Sequence, residues 1–307
     1  MKHLLLFSLA LSTAALASKP AHKVPVKTNA TPALEVAKND LLLDIDGNIY
    51  PRDQLPQTCP DLLKGVKCLV DSFGHYHVES KKEGELIYSK AVFSGPEGPQ
   101  VIEESWEKDG HVQKAVVENH ALEKRSELEV RDGKVYYKVT DLKDQSVKTA
   151  EDKYQDNLVV PSTVMSYIRP HNAELAAGKD VSFRIAVLDR KEAYTFNMKK
   201  IRNEKAANGD EVMVLQMSPS SIIVKALVDP MYFYISVKTG EMFAFEGKSA
   251  LRRKEGEKYK EMAVRTTYQY KVNQFKVAEA PRLNIGEPCT DDMIKTGAVK
   301  CSIPEMK

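Results

Sequence analysis

The sequence predicts a mainly β protein: an antiparallel sheet with one or two short helices packed against its concave side. First, short β-prone runs separated by turn dipeptides recur between residues 85 and 270. Second, several runs alternate, as where Val181, Phe183 and Ile185 share one face, which is typical of a sheet with one buried side. Third, a helix-prone segment near Pro161 interrupts the strands and is placed to cover the sheet.

Tight turns connect consecutive predicted strands. Asp-Gly and Asn-Gly dipeptides favour two-residue hairpins, so neighbouring strands should pair as an antiparallel meander. The turns are Asp109-Gly110, Asp132-Gly133, Asn208-Gly209 and Thr239-Gly240. The predicted strands span residues 86–93, 101–106, 111–117, 126–130, 134–139, 181–188, 194–201, 212–217, 222–228, 231–237 and 241–245.

The helical segment is predicted in two pieces. Pro161 fits the first turn of a helix, and the first piece runs to Arg169, where Pro170 interrupts it. The second piece covers residues 172–177 and stops at Gly178, which suits a C-terminal cap. Residues 231–235 are apolar on both faces, so part of the sheet should be covered twice.

The N-terminus predicts export. A positive start is followed by an apolar run over residues 4–11 and by Ala15-Leu16-Ala17, a small-x-small signal, so a signal peptide should be cleaved after Ala17. The alternative, a membrane anchor, needs roughly 20 apolar residues. We therefore expect a periplasmic or secreted product without an integral membrane span.

The rest of the chain divides by composition. The predicted parts are a signal peptide (1–17), a flexible linker (18–39), a small cysteine-containing segment (40–80), the antiparallel β domain (81–275) and a C-terminal tail with a disulfide loop (276–307). With 307 residues and 42% hydrophobic content, the chain has ample material for a core. Its net charge of +2 is spread along the chain without a basic stripe, so we expect no nucleic-acid partner.

The four cysteines form two close pairs in sequence. In an oxidising compartment, pairing of Cys59 with Cys68 and of Cys289 with Cys301 is favoured, because short loops cost least entropy to close. A crossed pairing would join the two ends of the chain. Zinc is disfavoured, because no Cys-x-x-Cys spacing is present.

The sequence contains no catalytic signature. It lacks a Gly-x-Ser-x-Gly elbow, a phosphate-binding glycine loop and a dinucleotide fingerprint, so we expect a protein that is not an enzyme and needs no cofactor. Asp46-Gly47 predicts a turn rather than a calcium loop. His75 and His77 are interpreted as surface residues rather than metal ligands, and Glu103-Glu104 as surface charges.

Several segments resemble uncharacterised bacterial periplasmic β proteins. The resemblance lies at residues 164–169, 174–179, 187–192, Phe196, 217–221, 228–230 and 240–247. In general shape those proteins are similar to the lipoprotein-carrier class. The resemblance implies a strongly curved antiparallel sheet, an open or half barrel, that wraps a helix and leaves an apolar cavity for acyl chains.

Met and aromatic residues flank the predicted helix. Adaptable Met side chains and broad aromatic faces suit a deformable apolar pocket, which favours a binding or carrier protein for a lipid or acyl ligand. The alternative is a filled core in an envelope scaffold or protein-interaction module. The candidate ligand-binding residues are Met165, Phe183, Phe196, Met198, Met213, Met217, Phe233, Phe243 and Phe245.

Overall fold

A computed structural model describes residues 40–55, 71–222 and 228–275. In these residues fifteen strands form one sheet, and a helical segment lies between the ninth and tenth strands, which confirms the predicted mainly β class. The strands are β1 (Leu41–Pro51), β2 (Gly74–Glu83), β3 (Leu86–Gly95), β4 (Gly98–Lys108), β5 (His111–Asn119), β6 (Lys124–Arg131), β7 (Lys134–Asp141), β8 (Val147–Lys153), β9 (Leu158–Val159), β10 (Val181–Val187), β11 (Glu192–Lys205), β12 (Glu211–Pro219), β13 (Met231–Ser236), β14 (Met242–Glu255) and β15 (Lys258–Asn273).

The sheet is a long meander that joins its two halves through β1. Its order is β8-β7-β6-β5-β4-β3-β2-β1-β15-β14-β13-β12-β11-β10-β9. All neighbouring pairs are antiparallel except β9 with β10, which is parallel. Strands β8 and β9 therefore form the two edges of an open sheet.

Two of the four predicted turns are two-residue hairpins, whereas Asn208-Gly209 and Thr239-Gly240 lie in longer connections. Asp109 and Gly110 both have positive φ, 52° and 79°, as do Asp132 and Gly133 at 51° and 70°. A two-residue turn with this backbone matches the twist of the strands that it joins. Lys108 consequently pairs with His111 across the β4–β5 turn.

The sheet rolls up so that its β9–β10 end lies inside the curve. One face of β10, with Phe183 and Ile185, packs in the main apolar cluster. The opposite face, with Ala186, packs against Leu128 of β6 and Tyr137 of β7 in a second cluster. Strand β10 is thus covered on both faces without a second sheet.

The helical segment follows the predicted two-piece form. It consists of a short 3-10 turn (Pro161–Thr163), α1 (Val164–Ile168), a second 3-10 turn (Arg169–His171) and α2 (Asn172–Ala176). Gly178, at φ 87°, ends it, and its N–H donates to the Leu175 carbonyl at 2.9 Å. Val164, Ile168 and Leu175 are buried against β10–β13.

Residues 40–83 differ from the prediction. Asp46-Gly47 is not a turn: it lies within β1, which pairs with both β15 and β2. A Cβ at Gly47 would come 2.9 Å from the Thr267 carbonyl oxygen, so glycine is needed for the close approach of the two strands. The described part of the 40–80 segment is central to the sheet, and β2 crosses the predicted boundary at residue 80.

Some predicted segments lie wholly or partly outside the described residues. The signal peptide, the linker, all four cysteines, the C-terminal tail and residues 223–227 of one predicted strand lie outside. The charged run at 252–258 turns only near Gly256, since Arg252 to Glu255 continue β14. None of the helices in the described ranges has the length and apolarity to cross a membrane.

Candidate functional site

The structure brings most of the nine candidate ligand-binding residues into one apolar cluster beneath the helical segment. Phe183, Met198 and Met213 have no exposed surface. Met165 and Phe245 are partly buried against the cluster. Phe243 lies apart, at a bulge where the β13–β14 pairing passes from Ala244 to Met242. The remaining buried members of the cluster are Phe196, Met217 and Phe233.

This cluster is packed like an ordinary core. Its fully buried rings and thioethers fill the space between the helix and β10–β13, and Phe183 contacts the Tyr167 ring at a centroid distance of 5.5 Å. Close packing of this kind supports the sheet, and it leaves the partly buried members Met165 and Phe245 as those nearest to open surface.

A different surface covers the inner face of β1–β3 and β15. In antiparallel pairs, residues directly opposite each other project to the same face. Gly47 lies opposite Tyr268 and Tyr76, and Tyr76 lies opposite Phe93. Tyr270 lies opposite the buried Ile45.

The rings on this face form the inner aromatic patch, defined as Tyr76, Phe93, Tyr268, Tyr270 and Phe275. They pack on buried aliphatic residues of β1–β3, but all five are only half-buried. Tyr76 contacts Phe93 and Tyr268 at centroid distances of 4.9 and 5.5 Å. The patch is therefore an apolar surface with rigid rings that is not sealed by the core.

The inner face of β4 is polar although it is buried. Glu103, Ser105 and Glu107 are 4%, 0% and 2% exposed. The surface-charge interpretation of Glu103 is therefore wrong, whereas Glu104 projects to the other face and accepts a hydrogen bond from Tyr88. Alternation along the strand places the two neighbouring carboxyl groups on opposite faces.

Two serines of the helical segment satisfy these buried acids. The backbone N–H of Ser162 donates to Glu103 Oε1 at 3.0 Å, and Ser166 Oγ donates to Glu107 Oε1 at 3.2 Å. Ser162 Oγ also donates to Ser105 Oγ at 3.2 Å. The first piece of the helix thus presents apolar residues to β10–β13 and serines to β4.

Burial shifts the pKa of both acids upward. It raises the pKa of Glu107 to about 7, against the opposing effects of the Ser166 hydrogen bond and the Arg169 charge. It also raises the pKa of Glu103, which Ser162 partly offsets. Desolvation of a carboxylate disfavours its charged form, so each group is a potential proton-binding site within the fold.

Arg169 lies between Glu107 of β4 and the inner aromatic patch. Its guanidinium stacks over the Phe275 ring at 4.3 Å. Burial lowers its pKa, while the charges of Tyr270, Glu107 and Glu241 act in the opposite direction. No sequence pattern indicates this arrangement, because Arg169 stands only at the predicted end of the first helical piece.

A second polar group lies on the outer face of β1 and β2. Ligand atoms of Asp44, Asp46 and His77 lie within 4.8 Å of one another, and His77 Nδ1 is 2.8 Å from Asp46 Oδ1. Lys271 Nζ, however, is 2.6 Å from Asp46 Oδ2. Hydrogen bonds from Lys271 and from His77 together lower the pKa of Asp46. The group is a salt-bridged surface cluster that already contains its own cation.

A small surface pocket near β11 has a volume of about 430 Å³. Its lining includes Tyr194, Thr195 and Ser220. The residues that precede this lining in sequence form a turn. Leu188–Arg190 is a 3-10 helix, and Lys191 has a φ of 59°. Glu192 accepts a hydrogen bond from the Tyr194 hydroxyl.

Comparison with known proteins finds a likeness in structure only. The chain is similar to a solved β protein from Brucella abortus. That protein is described as a "beta-barrel-like protein of domain of unknown function DUF1849", and the match has 12% identity and a TM-score of 0.41 over 76% of this chain and 98% of that one. No protein-family model and no curated protein matches the sequence. The Brucella protein is, like the proteins of the predicted resemblance, a β protein of unknown function.

Proposed function

We propose that the protein is a periplasmic binding or carrier protein that holds an apolar ligand, a lipid or acyl group, between the inner face of its sheet and the helical segment. In this proposal the protein encloses the ligand and does not catalyse a reaction on it. The predicted signal peptide supports the periplasmic location. The candidate residues other than Phe243 then form and support the wall beneath the helix, with Met165 and Phe245 nearest to the ligand.

The inner aromatic patch is the observation that carries this proposal. Large apolar rings on a concave face, left half-buried beside a fully buried core, are typical of a ligand-binding surface. Tyr76 and Tyr268 contribute wide rigid faces at low entropic cost, because each has only two side-chain torsions. The Tyr270 hydroxyl accepts a hydrogen bond from the Met242 N–H at 2.8 Å, which fixes the orientation of that ring.

Binding of a fluorescent fatty acid tests the proposal. We expect the wild-type protein to bind the probe and Phe93→Ala to bind it about 10-fold more weakly, because burial of an aromatic side chain is worth roughly 1.5–3 kcal/mol. The measurement is a fluorescence titration of the mature protein.

Tyr88→Ala is the matched control. Tyr88 lies on the same strand as Phe93 but stacks on Trp106 of β4 at 5.1 Å, on the face opposite the patch. Its replacement should leave probe affinity unchanged. Equal affinity of Phe93→Ala and the wild type would count against the patch as a ligand surface.

A second function, an envelope scaffold or protein-interaction module, is favoured by one edge of the sheet. Strand β8 is an edge strand with mostly exposed residues, and Val147 on it is 53% exposed. An exposed edge is suited to the addition of a partner strand. Failure of the wild-type protein to bind any amphiphile, together with binding of an envelope protein that β8 substitutions abolish, would support this function instead.

A further inference from the structure

Arg169 has an unused hydrogen-bonding capacity at the edge of the inner aromatic patch. Within the described residues, no group accepts a hydrogen bond from its guanidinium, which stacks over the Phe275 ring. Two of its neighbours already have other partners: Glu241 accepts from Asn273 at 3.0 Å, and Tyr270 accepts from Met242. Arg169 is half-buried, and a guanidinium has five N–H donors in a planar fork, so one without a protein acceptor suits a ligand oxygen group.

Two buried acceptors near Arg169 are also unpartnered. Glu107 is 2% exposed, and its Oε2 has no hydrogen-bond partner, although Oε1 accepts from Ser166. Asn172, one turn after Arg169 on the helical segment, is 3% exposed. Its Nδ2 donates to the Val237 carbonyl at 3.0 Å, and its Oδ1 has no partner. Buried polar atoms of this kind are rarely left unsatisfied in native proteins.

We propose that Arg169, Glu107 and Asn172 form a head-group subsite, in which the guanidinium binds the phosphate of an acyl amphiphile and the two acceptors bind its hydroxyl groups. The inference rests on the proposed function and specifies its ligand class, a phospholipid with a hydroxylated head such as phosphoglycerol. The acyl chain then lies along the inner aromatic patch.

The charges around the subsite are compatible with a phosphate. Arg169 supplies the positive charge, and a bidentate contact from its fork matches phosphate geometry. Of the two acids that face it, Glu241 is engaged by Asn273, and Glu107 is partly protonated near neutral pH because burial raises its pKa. A protonated Glu107 repels the phosphate less and still offers a hydrogen bond.

Calorimetric titration with two amphiphiles of equal chain length tests the subsite. Lysophosphatidylglycerol has the phosphate and the hydroxyls, whereas monoacylglycerol has hydroxyls alone. We expect Arg169→Gln to weaken binding of lysophosphatidylglycerol by about 10-fold to 100-fold, the usual effect of losing a charged hydrogen-bond donor. Binding of monoacylglycerol should be unchanged, which also shows that the variant is folded.

Two further variants keep the test decisive. Arg190→Gln, a change at a surface turn, is the matched control and should leave both affinities unchanged. Arg169→Lys keeps the charge without the fork and should give an intermediate loss, so it replaces Arg169→Gln if that variant does not fold. Glycerol phosphate, which lacks the acyl chain, should bind much more weakly than lysophosphatidylglycerol.

Each contrary result has a distinct meaning. Unchanged affinity of Arg169→Gln for lysophosphatidylglycerol would overturn the subsite while monoacylglycerol binding would still support the carrier function. Glycerol phosphate binding as tightly as the lipid would overturn the amphiphile as ligand and indicate a soluble phosphate ester. A wild-type protein that binds neither amphiphile would contradict the carrier function itself.

Discussion

Phe183→Ala should lower the free energy of unfolding by about 4 kcal/mol, because removal of a fully buried ring leaves a cavity that the sheet cannot close. Phe183 has no exposed surface and lies where β10 packs under the helical segment. Urea unfolding followed by the fluorescence of Trp106, the single tryptophan, measures the change.

Phe243→Ala is the matched control for this substitution. Phe243 is only half-buried and lies at the β13–β14 bulge outside the main cluster, so its loss should cost less than half as much. Equal destabilisation by the two variants would contradict the assignment of the core to the space between the helix and β10–β13.

Stability should decrease as pH rises from about 4.5 to about 7, because of Glu107. Its pKa in the folded protein is raised from 4.5 to about 7, so the folded state retains a proton that the unfolded chain releases. The stabilisation that comes from this retained proton is fully present below the unfolded-state pKa of 4.5. It is lost as the pH rises through the folded-state pKa of about 7. The loss amounts to about 3 kcal/mol.

Glu107→Gln should flatten this part of the pH profile. The amide keeps the shape of the side chain and does not ionise, and Glu103, whose pKa is also raised by burial, accounts for a remaining slope. Glu104→Gln, on the same strand and the opposite face, should leave the slope unchanged. Chemical denaturation at a series of pH values measures the profile, and an unaltered slope in Glu107→Gln would refute the role of that carboxyl group.

The strands with turn dipeptides were predictable because local chemistry decides them. Asp132-Gly133 adopts the positive φ values that a two-residue hairpin needs, so β6 and β7 follow from sequence alone. The helical segment is similarly defined by Pro161 at its start and Gly178 at its end. Edge strand β8, by contrast, is mostly exposed and has too little apolar alternation to be detected.

Strands β1 and β2 were missed because a long-range contact determines them. Asp46-Gly47 has the composition of a turn, but Gly47 is required where β1 passes close to the Thr267 carbonyl more than two hundred positions along the chain. Local propensity carries no information about such a partner. The packing of β15 against β1 overrides it.

The candidate site was predicted in part. The apolar residues beneath the helix follow from alternation, and their ligand-binding role stays a prediction. The polar face of β4 was not foreseen, because Ile102 and Trp106 are more apolar than Glu103 and Glu107 and yet lie on the outer face. The buried face of β4 is therefore the more polar one, because it contacts the serines of the helical segment.

Native mass spectrometry of the mature protein, purified gently from its own cell envelope and followed by organic extraction, tests the carrier function most directly. We expect a stoichiometric adduct whose extracted mass is that of an acyl lipid with a phosphate-bearing, hydroxylated head. A mass equal to that of the polypeptide alone, from protein that also fails to take up added lysophosphatidylglycerol, would contradict it.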